Sequence, residues 1–340
     1  MGKLNYDYDP RGLVRHIGPD PDFTECPSTL SAIYVPTTGR PRHVNSLLNY
    51  LRDVDVPIYL LVSKETDVPE SELRANISVL RLREFDAQFT QTMGEMKTQK
   101  SKTFGVPLDQ WDLPQKRNYA LWHSAGHGYK RILLLDDDIR GLGKSEIQKA
   151  SAALCNAQVS GFFVDQFPDT SVIGHIELAL GEPVSTFMSG SCLFLDVTRC
   201  TGFFPTIYNE DWIFMAPSIE LGQACSLGQV SQEEYDPFIS SDVASFQEPG
   251  EILGDGLFSL IAAGAYTERH RTEVWDDLLA IRYDWLIWLS GKVTDQRHRL
   301  AIAASLDRFR TIGSSDCVAY IHAWEYDRET WVSALFSRNT

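Results

Sequence analysis

The chain has 340 residues, of which 43% are hydrophobic and 23% are charged. This composition is typical of a globular protein and excludes a disordered chain, a collagen-like fibre and a coiled coil. The length allows about two domains, or one large α/β unit with additions. Acidic residues outnumber basic ones by 46 to 31, and the net charge of −15 disfavours a nucleic-acid partner because it repels phosphate backbones. Small phosphate ligands remain compatible with this charge, since a local basic pocket can override the net field.

The cysteines and the N-terminal segment indicate a cytoplasmic protein. The six cysteines are Cys26, Cys155, Cys192, Cys200, Cys225 and Cys317. None of them forms a CxxC pair, and a chain of this length does not need disulfides, so we expect free thiols in a reducing compartment. The first residues, MGKLNYDYDPRG, are polar and lack the apolar core of a signal peptide. No apolar run approaches the ~20 residues that span a bilayer.

Strands and helices alternate in the first part of the chain. An irregular leader over residues 1–28 precedes a β-prone run at 29–35, which ends in a loop rich in Gly and Pro. Helical spacing of apolar residues then predicts a helix over 43–52. Further strands are predicted at 58–63 and 77–82. This alternation predicts an α/β fold with a parallel sheet.

Residues 84–114 interrupt that rhythm. They show little apolar periodicity, and a loop of this length within a compact domain is usually a lid or disordered. As a closing lid, it would bring Lys97, Lys100 and Lys102 towards a ligand. A helix over 114–124 follows it.

The remaining elements follow from apolar pattern and breakers. Strands are predicted at 131–135, 159–164 and 187–196, helices at 145–157 and within 209–227, a polar loop region at 231–256, and helices from 257 to 339.

The strongest chemical signal is LLLDDD at 133–138. Three consecutive carboxylates at the end of a buried strand repel one another unless a cation is present. Strand alternation predicts Asp136 and Asp138 on one side and Asp137 on the other. Two carboxylates together with phosphate oxygens suit Mg²⁺ or Mn²⁺. The alternative is a solvated acidic turn that caps the next helix.

Two basic or hydroxyl-bearing motifs precede the triple aspartate. The loop Pro36-Thr37-Thr38-Gly39-Arg40 follows the first strand, where open α/β sheets bind ligands, or it is a simple turn. Lys116-Arg117-Asn118 begins a helix and either pairs with a diphosphate or forms a solvated basic face.

A further motif, Tyr208-Asn209-Glu210-Asp211-Trp212, begins a helix after a turn. A carboxylate at this position can act as a general base towards a sugar hydroxyl, or simply form an acidic first helical turn. Upstream, Ser189-Gly190-Ser191 permits the close approach of a ligand or close packing of the backbone.

Taken in order, these motifs resemble those of GT-A-type glycosyltransferases, in particular the family 2-like enzymes. The matching segments are VPTTGR at 35–40, KRNYAL at 116–121, LLLDDD at 133–138, MSGSCLFL at 188–195 and NEDW at 209–212. The resemblance implies a GT-A-like, Rossmann-related sheet that is mostly parallel and flanked by helices, with a helical C-terminal region. It divides the chain into the leader, a catalytic domain over 29–256, with a nucleotide-sugar half to about 140 and an acceptor half from about 141, and an extension over 257–340.

The resemblance also implies roles for individual residues. Asp138 would be the main metal ligand, Asp136 would face the ribose or the metal, and His270 would be a further ligand from the C-terminal region. Asp211 would be the base, and Glu210 would bind the sugar or the acceptor. The nucleotide-sugar pocket would hold Pro36, Thr37, Thr38, Arg40, Lys116, Arg117, Asn118, Asp136, Asp137 and Gly190.

The implied activity is transfer of a sugar from a nucleotide-diphosphate donor to a hydroxyl acceptor, which is a glycan or a small molecule, with Mn²⁺ or Mg²⁺. A nucleotidyltransferase, a nucleotide-sugar mutase resembling the reversibly glycosylated polypeptides, and a non-catalytic nucleotide-binding module remain alternatives. The sequence does not identify the donor base, the sugar, the acceptor or the stereochemical course. Trp275, Trp285 and Trp288 leave both a core position and a homodimer interface open.

Overall fold

The structure is a computed structural model that describes residues 9–17, 29–38, 41–63, 73–106, 111–165, 167, 170–182, 184 and 187–339. Most of the predicted leader therefore lies outside the described residues, as does Cys26.

Within the described residues, one mixed sheet organises the fold. The strands are β1 Arg15–His16, β2 Ala32–Thr37, β3 Ile58–Val62, β4 Ile77–Arg81, β5 Arg131–Leu135, β6 Ile139–Arg140, β7 Val159–Asp165, β8 Met188–Asp196 and β9 Ala224–Gln232. Their order is β1-β9-β7-β8-β5-β2-β3-β4, and β6 pairs with β9. Strand β8 is antiparallel to β5 and β7, and β6 is antiparallel to β9, whereas the other pairs are parallel.

The strand order reverses direction at β2. From β2 the chain moves outwards to β3 and β4, and it then returns to β5 on the other side of β2. In open α/β sheets, the crevice at the carboxyl ends of strands on either side of such a reversal is where ligands bind. We therefore expect a ligand site at the carboxyl ends of β2 and β5.

Helices cover both faces of the sheet. They are α1 Pro41–Tyr50, α2 Ala87–Glu95, α3 Leu113–Gly126, α4 Lys144–Ala153, α5 Val172–Ala179, α6 Glu210–Glu220, α7 Ser241–Ala262, α8 Thr272–Lys292, α9 Gln296–Phe309 and α10 Ser314–Phe336. Alternate residues of β5 face opposite cores, because side chains alternate along a strand. Leu133 and Leu135 pack in the core that contains α1 and α4, whereas Ile132 and Leu134 pack in the core that contains α3 and the C-terminal helices.

The α/β class, the mostly parallel sheet and the helical C-terminal region are confirmed. One local difference concerns the first loop, because β2 continues through Pro36 to Thr37. Both residues lie in register with β3, opposite Leu61 and Val62.

The prediction of a loop over 84–114 is wrong for the part of it that the structure describes. Residues Ala87–Glu95 form α2, whose first amides are capped by Asp86 and whose Phe89 and Met93 are buried one turn apart. The amides of Lys97 and Thr98 then donate to the buried Asp327 carboxylate, each at 2.8 Å. These contacts hold the described part against α10, so we do not retain a closing lid there.

The polar loop predicted over 231–256 is also wrong, because α7 occupies Ser241–Ala262. Pro249 and Gly250 suggest a break in the sequence, but both lie within the helix. A side chain at position 250 would overlap the backbone of Tyr208, so this glycine permits the close approach of α7 to the segment before α6. Strand β9 and helix α5 were not predicted, and α7 crosses the expected boundary at residue 256.

The expectation of free thiols is met by Cys155, Cys192, Cys200, Cys225 and Cys317. Within the described ranges, no helix combines the length and the apolar composition that crossing a bilayer requires.

Candidate active site

A cleft of about 490 Å³ opens beside the end of β5. One end is lined by Arg117, Asp136 and the first residues of α6, and the other by side chains of α5, α7 and α8. The predicted residues Arg117, Asp136, Glu210 and Asp211 therefore share one cavity.

The last residue of β2 and the turn after β5 meet through a buried hydrogen bond. Thr37 Oγ1 donates to Asp137 Oδ2 at 2.6 Å. Neither side chain has appreciable exposure. The contact joins residues 100 positions apart in sequence, and the strand order explains it because β2 and β5 are neighbours.

The three aspartates separate differently from the predicted alternation. Asp136 faces Arg117, whereas the carboxylates of Asp137 and Asp138 belong to one group with His43. The reason is that β5 ends at Leu135 and a turn follows, so the period of two does not extend into residues 136–138.

Arg117 is buried between two carboxylates from different elements. Its Nη1 donates to Glu210 Oε1 at 2.5 Å, and its Nη2 donates to Asp136 Oδ2 at 3.2 Å. Only 4% of the residue is exposed. Ion pairs of this kind fix a planar guanidinium in orientation, so Arg117 presents a rigid cation at this end of the cleft.

Gly190 makes room for that guanidinium. A Cβ at this position would overlap the Arg117 side chain. The Gly190 amide also donates to Asp211 Oδ2 at 2.6 Å. The small residue of the SGS segment therefore serves close packing and positions a neighbouring carboxylate.

Asp211 is held at the start of α6. Its Oδ1 accepts from the Trp212 amide at 2.9 Å, so both carboxylate oxygens have a backbone donor. The preceding Asn209 adopts the left-handed conformation, with φ 58° and ψ 30°, which Asn tolerates better than most residues. Its Nδ2 donates to Glu251 Oε1 at 2.9 Å, which links this turn to α7.

Glu210 is buried beside Arg117. Burial raises the pKa of Glu210 to about 8, the guanidinium opposes the rise, and the charge of Asp211 adds to it. Its protonation is thus coupled to the charges around Arg117.

Lys116 and Asn118 are buried away from the lining of the cleft. Lys116 Nζ donates to the Thr37 carbonyl oxygen and to Ser63 Oγ, both at 2.9 Å, and lies 3.2 Å from Asp112 Oδ1. Burial lowers the pKa of Lys116, and Asp112 opposes that effect.

Asn118 exchanges two hydrogen bonds of 2.8 Å with the backbone of Phe204. In the structure, Lys116 and Asn118 thus make hydrogen bonds that connect α3 to other elements, whereas the sequence predicts both as nucleotide contacts.

The donor set that suits a divalent cation includes a residue that the sequence analysis missed. His43, Asp137 and Asp138 each place a ligand atom within 4.8 Å of the others. His43 Nδ1 lies 3.9 Å from Asp137 Oδ1, and it is buried without a hydrogen-bond partner among the described residues. On the other side of the ring, Nε2 lies 3.5 Å from Glu233 Oε2.

An orphaned imidazole nitrogen beside two carboxylates fits Mn²⁺, and also Mg²⁺ through the oxygens.

His270 does not join this group. Its Nε2 lies 3.3 Å from Glu325 Oε1, and its ring stacks on His322. The lysines of the expected lid also lie elsewhere, since Lys97 Nζ stands over the Tyr326 ring and Lys100 Nζ lies 3.4 Å from the Glu95 carbonyl oxygen.

The remaining predicted residues of the first loop have separate outcomes. Pro36 is buried within β2, and Thr38 is exposed at its end. Arg40 lies outside the described residues.

At the other end of the cleft, Arg282 of α8 is surrounded by carboxylates of α7. Its Nε and Nη2 donate to the two oxygens of Glu248, each at 2.9 Å, and Nη1 donates to Asp255 Oδ2 at 3.0 Å. Glu251 Oε2 lies 3.5 Å from Nη2. Trp285 lies beside the guanidinium, with 5.0 Å from Cζ to the ring centroid.

Two carboxyl groups at this end of the cleft, those of Glu177 and Asp255, are shifted towards their neutral forms. Burial raises the pKa of Glu177 to about 7, and it raises the pKa of Asp255 well above its ordinary value, in both cases against the charge of Arg282. The Glu177 carboxyl group can therefore donate as well as accept hydrogen bonds near neutral pH.

Comparisons with known proteins find similarity among solved structures. No protein-family model matches the chain, and no curated protein matches it. Among solved structures, a candidate nucleotide-diphospho-sugar transferase from Desulfovibrio desulfuricans G20 is similar to 78% of this chain over 99% of its own length. The TM-score is 0.35 and the identity is 10%, values that do not identify an activity.

Proposed function

We propose that this chain is a metal-dependent glycosyltransferase that moves a sugar from a nucleotide-diphosphate donor to a hydroxyl acceptor. One observation carries the proposal. Three features lie around one cleft. They are the reversal of strand order at β2, the buried Arg117 guanidinium, and the Asp211 carboxylate at the start of α6. Together they can bind a nucleotide, offer a guanidinium to its phosphates and supply a base for a hydroxyl group.

The donor occupies the end of the cleft next to β2 and β5, where open α/β sheets bind nucleotides. Thr38 at the end of β2 contributes to the nucleoside pocket. Arg117 and Asp136 face the sugar and diphosphate, and Arg117 offsets negative charge on the diphosphate. Since Glu210 and Gly190 fix the guanidinium, it needs little reorganisation when the donor binds.

Asp137, Asp138 and His43 would hold the divalent cation. When bound, Mn²⁺ or Mg²⁺ supplies Lewis-acid stabilisation of the charge that develops on the leaving diphosphate.

Asp211 is the general base in this proposal. The amides of Gly190 and Trp212 hold its carboxylate in one orientation, and it lines the cleft. It accepts the proton of the acceptor hydroxyl as the oxygen attacks the anomeric carbon, which predicts inversion of configuration. Glu210 acts by positioning Arg117.

The acceptor lies at the end formed by α5, α7 and α8. Trp285 offers an apolar face there, and Glu177 and Asp255 offer hydrogen-bonding groups for hydroxyls.

The proposal is tested by nucleotide binding. UDP, GDP, CDP and dTDP are titrated calorimetrically, each with and without Mn²⁺, into wild type, Asp138→Ala and the control Asp53→Ala, whose carboxylate is 81% exposed. We expect metal-dependent binding of one nucleotide, lost in Asp138→Ala and kept in the control. Absence of binding of every nucleotide to the wild type would contradict the proposal.

Turnover is then measured with the sugar form of the nucleotide that binds. Asp211→Asn is expected to reduce transfer by roughly 10²- to 10⁴-fold while nucleotide affinity is retained. If Asp211→Asn transfers sugar within a few-fold of wild type, Asp211 is not the base. Ring isomerisation of the donor without any acceptor would identify a mutase instead.

A further inference from the structure

A second group of metal-ligating side chains lies in the helical C-terminal region. His270 ends the 3₁₀ turn Tyr266–His270 between α7 and α8, and His322 and Glu325 lie three residues apart on α10. Residues i and i+3 share one face of a helix, which brings these two side chains together opposite His270. Within the part of the chain that the structure describes, none of these three residues lines the cleft.

The geometry of this group is close to that of a metal site. One ligand atom of each side chain lies within 4.8 Å of the other two. The two imidazole rings stack with centroids 4.6 Å apart, and His270 Nε2 lies 3.3 Å from Glu325 Oε1. Zinc bonds of about 2.0–2.1 Å place tetrahedral ligand atoms about 3.3 Å apart. Small side-chain rotations would therefore bring the three atoms into position.

His270 carries an unsatisfied nitrogen. Its Nδ1 is buried and finds no hydrogen-bond partner among the described residues. A buried polar atom without a partner costs free energy, and a cation bound at Nδ1 would remove that cost. Burial also lowers the pKa of His270, against the opposing effect of Glu325, and so favours the neutral ring that binds metals.

Arg269 is the group that competes for Glu325. Its Nη2 lies 2.6 Å from Glu325 Oε1. The guanidinium is also held independently, because its Nη1 donates to the Tyr266 carbonyl oxygen at 2.8 Å. Carboxylates that bind metals commonly accept a hydrogen bond from a neighbouring residue that orients them. Arg269 can orient Glu325 in this way while the carboxylate binds a cation.

We propose that His270, His322 and Glu325 form a binding site for a zinc-class divalent cation. Two imidazoles and one carboxylate favour Zn²⁺, Ni²⁺ or Co²⁺ over Mg²⁺ or Ca²⁺, which prefer sets of oxygen ligands. Bound metal joins the turn before α8 to α10 and stabilises the C-terminal helices. This site is independent of the proposed glycosyl transfer.

The test is calorimetric titration of Zn²⁺ into the full, chelator-treated chain without nucleotide. His322→Ala is the main variant, because His322 is exposed and its removal leaves the core intact. Glu325→Gln is the second variant. His43→Ala removes a ligand of the other candidate metal group, and His127→Ala breaks a stacked histidine pair, formed with His123, that has no part in either group.

We expect His322→Ala to lose one equivalent of bound Zn²⁺, or to bind it at least tenfold more weakly, and Glu325→Gln to show the same loss. His43→Ala and His127→Ala are expected to retain that equivalent. Zn²⁺ should also raise the melting temperature of wild type more than that of His322→Ala, because a ligand of the folded state stabilises it. Equal zinc binding in wild type and His322→Ala, or an equal loss in His127→Ala, would overturn the proposal.

Discussion

Arg117 and Arg282 are both buried arginines at the cleft, but their partners come from different kinds of structure. Arg117 pairs with Asp136 at the end of β5 and with Glu210 at the start of α6. Arg282 pairs with Glu248, Glu251 and Asp255, which all lie on α7. Arg117 of α3 thus joins the end of β5 to the start of α6, whereas Arg282 joins α8 to α7.

This difference predicts a binding role for Arg117 and a structural role for Arg282. Around Arg282, three carboxylates share one guanidinium, and the arginine is the main compensation for buried charge. Around Arg117, the clamp depends on the absence of a side chain at Gly190 and faces the end of the cleft where we propose that the donor binds. Changes near Arg282 should therefore alter stability most, and changes near Arg117 should alter ligand binding most.

The largest expected effect on stability follows from Arg282→Met. The change leaves the fully buried Glu248 carboxylate without its charged partner and with Ser305 Oγ as a donor, so unfolding should be favoured by about 3–5 kcal/mol at pH 7. Urea denaturation measures it. Arg271→Met is the control, since this arginine is 52% exposed and its loss should leave stability nearly unchanged. An equal loss of unfolding free energy in the two variants would show that Arg282 has no special structural role.

A smaller effect on stability, with a larger one on binding, is expected for Gly190→Ala. The added methyl group overlaps the Arg117 guanidinium and should cost about 1–3 kcal/mol through overpacking. Displacement of Arg117 should also weaken nucleotide binding, measured by the titration described above. Gly94→Ala is the control, because nothing lies within 4 Å of its Cβ and alanine favours a helix by about 0.5–1 kcal/mol. Unchanged nucleotide affinity in folded Gly190→Ala would show that the clamp does not serve the donor.

The smallest effect concerns Glu177, whose pKa is raised by burial to about 7. A carboxyl group with a raised pKa in the folded state stabilises the fold below its unfolded pKa, near 4.5, and loses that contribution as the pH rises to 7. Glu177→Gln should therefore match wild type near pH 4.5 and be more stable at pH 8. We expect a difference on the order of 1 kcal/mol, because solvent in the cleft screens the group.

Denaturation of both proteins at the two pH values measures this difference. A constant difference between the two proteins across this range would show that Glu177 does not titrate as expected.

Part of the candidate site could be predicted because its signal is local. The apolar run of β5 followed by carboxylates, and the acidic start of α6, are visible as short motifs. The partners of Arg282 also have a local signal, since residues 248, 251 and 255 follow the i, i+3, i+7 spacing of one helix face. The polar appearance of 231–256 concealed that helix, because Pro249 and Gly250 indicate a break when burial is unknown.

The sequence by itself determined the α/β alternation, the apolar strand that ends in aspartates and the helical C-terminal region, because periodicity and turn residues act over a few positions. Only the tertiary structure decided which side chains meet. His43 reaches Asp137 because β2 and β5 are neighbours, Gly190 reaches Asp211 because α6 packs against β8, and His270 joins His322 because α10 packs against the turn before α8. Such pairs depend on strand order and helix packing over long sequence separations, which no local pattern encodes.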